Sequence, residues 1–81
     1  MEAVDGNAIG GLLHEVFGNE MTGAPTVCVY CRDARPVAEL MVYLRAPGTV
    51  VRCRTCHNVL MAFVAVHDRM CVDLQGLAVL G

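Results

Sequence analysis

The sequence predicts a small metal-bound α+β fold, with an amphipathic helix at the N-terminus followed by short antiparallel strands. Three observations predict it. The chain has only 81 residues but is 56% hydrophobic and 17% charged, too apolar for disorder and too short for an ample core. At this size the cost of ordering the chain, ~1.5 kcal/mol per residue, roughly cancels what burial returns, so a further stabiliser is expected. Five cysteines, four of them in two Cys-x-x-Cys pairs, indicate what that stabiliser is.

Residues 1–25 form the first block. Ala8, Ile9, Leu12, Leu13, Val16 and Phe17 recur every three to four positions and define one face of a helix. Asp5 or Asn7 suits its N-cap, and Gly18 stands where a left-handed C-cap belongs. Gly10 and Gly11 each weaken the helix by ~1 kcal/mol relative to Ala, so it depends on docking. Met21-Thr22-Gly23-Ala24-Pro25 reads as a linker.

Residues 26–81 form the second block, within one domain overall. Thr26-Val27 leads into Cys28, Val37–Arg45 reads as a strand, and Ala46-Pro47-Gly48 as a turn. Thr49–Arg52 returns as a strand ending at Cys53. Val59–Val66 is apolar at successive positions and is expected to be covered on both faces. His67-Asp68-Arg69 turns the chain into a last strand. There Met70, Val72 and Leu74 face one way and Cys71 and Asp73 the other. About four or five strands are expected. The apolar tail Leu77–Leu80 has no assigned place beyond packing on the core or serving as a contact surface.

Cys28-Val29-Tyr30-Cys31 and Cys53-Arg54-Thr55-Cys56 are separated by 21 residues, enough for a hairpin that brings them together. A two-residue spacer lets a tight turn aim two sulfurs at one point. Two such turns supply four thiolates in a tetrahedron, which suits one Zn²⁺ per chain. Four protein ligands close the coordination shell, whereas a catalytic zinc keeps a position open for water. No phosphate loop, activated serine or convincing carboxylate pair accompanies them, so no catalytic residue and no small-molecule substrate is assigned.

These two cysteine turns, joined through a hairpin, resemble the zinc ribbon fold over roughly residues 26–74. The longer pattern comprises Asp5-Gly6-Asn7, Gly11-Leu12-Leu13, Val16-Phe17-Gly18, Ala46-Pro47-Gly48, Val51-Arg52-Cys53-Arg54-Thr55-Cys56 and Cys71-Val72-Asp73-Leu74. It is similar to a family of short bacterial zinc-ribbon proteins of unknown function. The resemblance implies Cys28, Cys31, Cys53 and Cys56 as metal ligands and no established activity. Many ribbons place Gly after the second cysteine of each turn, but here Arg32 and His57 stand there.

Other readings compete. Four sulfurs do not by themselves separate zinc from iron, so a rubredoxin-like electron carrier serving an oxidoreductase stays open. Trp 0, Tyr 2 and Phe 2 leave out the aromatic core expected of one. Cys53-Arg54-Thr55-Cys56-His57 matches a c-type haem attachment motif, but the other pair would then lack a role. His57 reads as a solvated neighbour of the site, Cys71 as a buried inert thiol, and His14 and His67 as non-ligands. Met41, Met61 and Met70 read as core filler.

The five Arg between Cys28 and His57 face only two acids, but the thiolate site itself is anionic and aromatics are scarce. Nucleic acid is therefore not the expected partner, and a nucleic-acid-binding zinc ribbon stands only as an alternative. The expected partner is another protein or a second copy, through the N-terminal helix, Val59–Val66 and Leu77–Leu80. The longest apolar run is eight residues, far below the ~20 of a membrane span. The acidic start Met1-Glu2-Ala3-Val4-Asp5 lacks the basic opening of a secretory signal, so the expected compartment is cytoplasmic.

Overall fold

The computed structural model describes residues 4–45 and 48–81. They form a small α+β fold of one short helix and two antiparallel sheets. The larger sheet has the order β1-β4-β5-β6-β7, from strands Val4–Asp5, Met41–Arg45, Gly48–Arg52, Val59–Val66 and Arg69–Asp73. The smaller has the order β3-β2-β8, from Ala34–Pro36, Pro25–Cys28 and Leu77–Leu80.

The N-terminal block is less of a helix than its periodicity suggests. Val4–Asp5 pairs with Val42 and Met41 as an edge strand, and Gly6–Ile9 is a 3-10 turn. Asp5 caps that turn, its carboxylate accepting from the Asn7 amide at 3.1 Å. Helix α1 covers only Gly10–Phe17 and ends at Gly18, in the left-handed conformation with φ 76°. Two consecutive glycines and no side-chain cap at its start explain the shortening. Ile9 and Leu13 enter the core, whereas Ala8 stays exposed.

The expected linker is pinned in place. Val37 donates to the Ala24 carbonyl at 3.0 Å, and Ala38 to that of Thr22 at 2.8 Å. Val37–Glu39 is accordingly a 3-10 turn, and the strand expected from Val37 begins at Met41. Ala46 and Pro47 of the expected turn lie outside the described residues, and Gly48 opens β5.

The core gathers Ile9, Leu13, Val37, Leu40, Val42, Val51, Leu60, Met61 and Phe63, together with Cys28 and Cys53. Strand β6 divides in two. Leu60, Met61 and Phe63 are buried, but Val64, Ala65 and Val66 are exposed, and so is every residue of β7. The covering expected on both faces of Val59–Val66 therefore holds only for its first half.

The tail has a definite place. Leu80, Val79 and Leu77 pair with Thr26, Val27 and Cys28, making eight strands in all among the described residues. Leu77 and Leu80 also pack against the core. Gly76 permits this: a Cβ there would lie 2.2 Å from the Val59 carbonyl oxygen, so only glycine fits without moving backbone.

Candidate metal centre

Each Cys-x-x-Cys pair sits in a six-residue knuckle, and the two knuckles repeat one hydrogen-bond pattern. In Cys28–Asp33 the Cys28 amide donates to the Asp33 carbonyl at 3.1 Å, and Arg32 donates back to the Cys28 carbonyl at 3.1 Å. In Cys53–Asn58 the corresponding bonds are Cys53 to Asn58 at 2.9 Å and His57 to Cys53 at 3.0 Å. The chain reverses at Arg32 and His57, both with φ 64°. These are the positions where many ribbons carry glycine. This is a left-handed conformation that glycine adopts freely, held here at some backbone cost by larger residues.

Four sulfurs result, all within 4.8 Å of one another. The close pairs cross between the knuckles: Cys28 Sγ to Cys56 Sγ and Cys31 Sγ to Cys53 Sγ, each 3.6 Å. An ion with sulfur at ~2.3 Å in a tetrahedron requires S···S edges of ~3.8 Å, so the donor set fits a four-thiolate metal. All four cysteines singled out in the sequence are therefore brought together. His57 offers no ligand atom to this cluster, and neither do His14, His67 or Cys71. Cys71 is exposed on β7 rather than buried, because the far end of that hairpin is uncovered.

Amide donors point at the sulfurs. Tyr30 N–H donates to Cys28 Sγ at 3.3 Å and Thr55 N–H to Cys53 Sγ at 3.4 Å. The Asn58 side-chain amide reaches Cys56 Sγ at 3.3 Å. Such donors stabilise thiolate. At Cys56 they prevail: the Asn58 backbone amide acts most strongly, outweighs burial and is helped by the Asn58 side chain, bringing this thiol down to about 6. At Cys31 the Asp33 amide also pulls down, but burial and the neighbouring thiols of Cys53, Cys28 and Cys56 overcome it and push the thiol up to about 12.

A polar seam joins the knuckles. The Thr55 hydroxyl donates to Asp33 Oδ2 at 2.8 Å, and Arg35 Nε donates to the same oxygen at 2.6 Å. Arg35 and Thr55 hold the Asp33 carboxyl below its ordinary value, in that order of strength. Arg54 donates to the Glu39 carbonyl at 2.7 Å, and Arg52 to the His57 carbonyl at 2.8 Å while lying over the Tyr43 ring. Three of the five arginines flanking the site thus hold its loops.

Sequence reasoning passed over Asp33, Asn58, Thr55 and Gly76. A signal for the first two was present, since both knuckles carry Asp or Asn two residues after the second cysteine. Gly76 supports the first knuckle, its carbonyl accepting from the Val29 amide at 3.0 Å. No signal in the sequence pairs it with that knuckle.

No helix among the described residues is long and apolar enough to cross a membrane. Comparison with curated proteins and with solved structures gave no match. A family model described as a family of unknown function, DUF6510, matches residues 1–81, and the chain belongs to that family.

Proposed function

We propose that the protein is a zinc ribbon in which one Zn²⁺ on Cys28, Cys31, Cys53 and Cys56 holds a scaffold for protein–protein interaction, without catalysis of its own. The single observation that carries this is the crossing of the two knuckles. Cys28 belongs to the smaller sheet and Cys53 follows β5 of the larger, so an ion shared by all four sulfurs clamps one sheet to the other. Structural zinc contributes ~10–16 kcal/mol in small peptides, comparable with the whole stability of a typical domain. The ion would supply cross-linking and neutralise thiolate charge. The amides of Tyr30, Thr55 and Asn58 orient the sulfurs, and Asp33 with Thr55 fixes the seam.

The interaction surface in this reading is the far end of the larger sheet. Leu44, Met70 and Val72 are exposed on one face of that end, and Val64 and Val66 on the other. The helix and tail, candidates from sequence, contribute less: α1 sends Leu13 into the core and β8 is paired with β2.

A second reading has one observation in its favour. Cys31 is exposed, so a redox metal would lie close to the surface, as an iron electron carrier requires. Elemental analysis with a visible spectrum separates the two. Zinc at about one per chain with no visible absorption is the expected result, with loss of folded structure on chelation. A coloured iron protein would establish the second reading. A protein that stays folded without metal would contradict the first.

A further inference from the structure

We propose that β7 pairs with the β7 strand of a second copy of this chain, antiparallel across a two-fold axis through Cys71, joining two five-stranded sheets into one. The inference deepens the interaction reading above and rests on it, by naming the occupant of the exposed end.

Strand β7 is the open edge of the larger sheet. The opposite edge, β1, comprises two residues among the described residues, whereas β7 presents five, all exposed. Natural edges are usually guarded by Pro, Lys, bulges or brevity, and none of these protects Arg69–Asp73.

The ladder fixes which groups are free. The turn His67-Asp68 is a two-residue hairpin loop closed by the pair Val66–Arg69. In such a loop the closing pair exchanges both hydrogen bonds, and the pattern then alternates along the strands. Arg69, Cys71 and Asp73 thus spend their backbone groups on β6. Met70 and Val72 present theirs to the open edge.

A two-fold axis through Cys71 satisfies these free groups. It sets Met70 opposite Val72 of the second copy, and Val72 opposite its Met70. Both are hydrogen-bonded pairs between apolar residues. The same register sets Arg69 opposite Asp73 of the second copy, twice. Opposite charges directly across a ladder stabilise it, and like charges oppose it. Neither Arg69 nor Asp73 has an ion-pair partner within the chain among the described residues. The strand Arg69-Met70-Cys71-Val72-Asp73 is therefore complementary to its own reverse in hydrogen bonding, charge and apolar character. Strand β8, also an edge, carries no charged pair to set a register.

The test uses the full-length, metal-loaded chain in sedimentation equilibrium, with metal content measured on each sample. A monomer–dimer equilibrium is expected. Val72→Pro removes an outward N–H without touching the β6 ladder and should weaken dimerisation about tenfold or more. Arg69→Asp places like charges opposite each other twice and should weaken it about tenfold, and adding Asp73→Arg should restore it to within about threefold. Under diamide, which takes up two electrons and two thiol protons per disulfide formed, Cys71 should cross-link to Cys71 of the second copy. The non-hydrogen-bonded pair places their Cα atoms ~4.5 Å apart, within disulfide range.

A metal-loaded, folded chain that stays monomeric at high concentration would overturn the proposal and leave the edge to a different protein. So would a dimer that ignores both Val72→Pro and Arg69→Asp, or one in which Cys71 does not cross-link. Failure of the metal reading would show separately, as a folded dimer without metal.

Discussion

The two knuckles share one geometry but not one foundation. The second, Cys53–Asn58, joins β5 to β6, adjacent strands that carry Val51, Leu60, Met61 and Phe63 into the core. The first, Cys28–Asp33, belongs to a sheet of three short strands, one edge of which is the C-terminal tail. It is steadied by Gly76, by Thr26 donating to the Arg35 carbonyl at 2.6 Å, and by the polar seam to Thr55. One knuckle grows out of the core, and the other is attached to it. In the proposed reading a metal would stabilise most at this joint between the more buried sheet and the less buried one.

The largest effect is therefore expected on the clamp itself. Removing the metal, or the double change Cys28→Ser with Cys53→Ser, removes a contribution of ~10–16 kcal/mol and should abolish the cooperative unfolding transition seen by circular dichroism. Amide exchange would sharpen the comparison, since residual protection should persist in β4–β6 and vanish in β2, β3 and β8.

Acid should act through the same clamp. Metal binding needs thiolates, and Cys31, pushed up to about 12, keeps its proton at neutral pH in the metal-free site. Binding should release that proton, and affinity should rise with pH by about tenfold per unit per proton displaced. The window opens near 6, where Cys56 ionises. Below it, Cys56 too must lose a proton on binding, and the dependence steepens. Competition titrations with a chelator across pH would measure both slopes.

Gly76→Ala tests the weaker foundation where it leans on β6. Its Cβ would meet the Val59 carbonyl oxygen at 2.2 Å, and the backbone shift should cost about 1–3 kcal/mol and lower metal affinity with it. Gly11→Ala is the contrasting change, since a Cβ there meets nothing within 4 Å and should stabilise α1 by up to about 1 kcal/mol. Thermal unfolding of the metal-loaded protein distinguishes the two signs.

Smaller effects are expected at the seam and the reversals. Thr55→Val removes the hydroxyl that reaches Asp33 and should speed metal transfer to a chelator about threefold. His57→Gly and Arg32→Gly relieve a φ of 64° in each knuckle. Each should raise the unfolding midpoint by the equivalent of at most about 1 kcal/mol, because glycine also loosens the unfolded chain.

What the sequence made legible follows the same division. The four cysteines were readable because their spacing is a local property of two turns, and Gly18 because a C-cap is local too. The β4–β5–β6 strands were readable from apolar runs bounded by turn residues. The pairing of Leu77–Leu80 with Thr26–Cys28 was not, since it joins residues about fifty positions apart with no charge or turn to mark it. The shortening of α1 was hidden by a hydrophobic period that continues through Ile9, where the chain is in fact a 3-10 turn. The exposure of Val64–Val66 and Cys71 was hidden for a related reason. Composition shows that a segment is apolar, but only the fold shows that its far half stays exposed among the described residues.

X-ray absorption spectroscopy of the purified, metal-loaded protein tests the clamp most directly. Four sulfur scatterers at ~2.3 Å are expected, with no nitrogen or oxygen bound to the ion. A shell with fewer than four sulfurs, completed by nitrogen or oxygen, would contradict the claim that one ion ties both knuckles together.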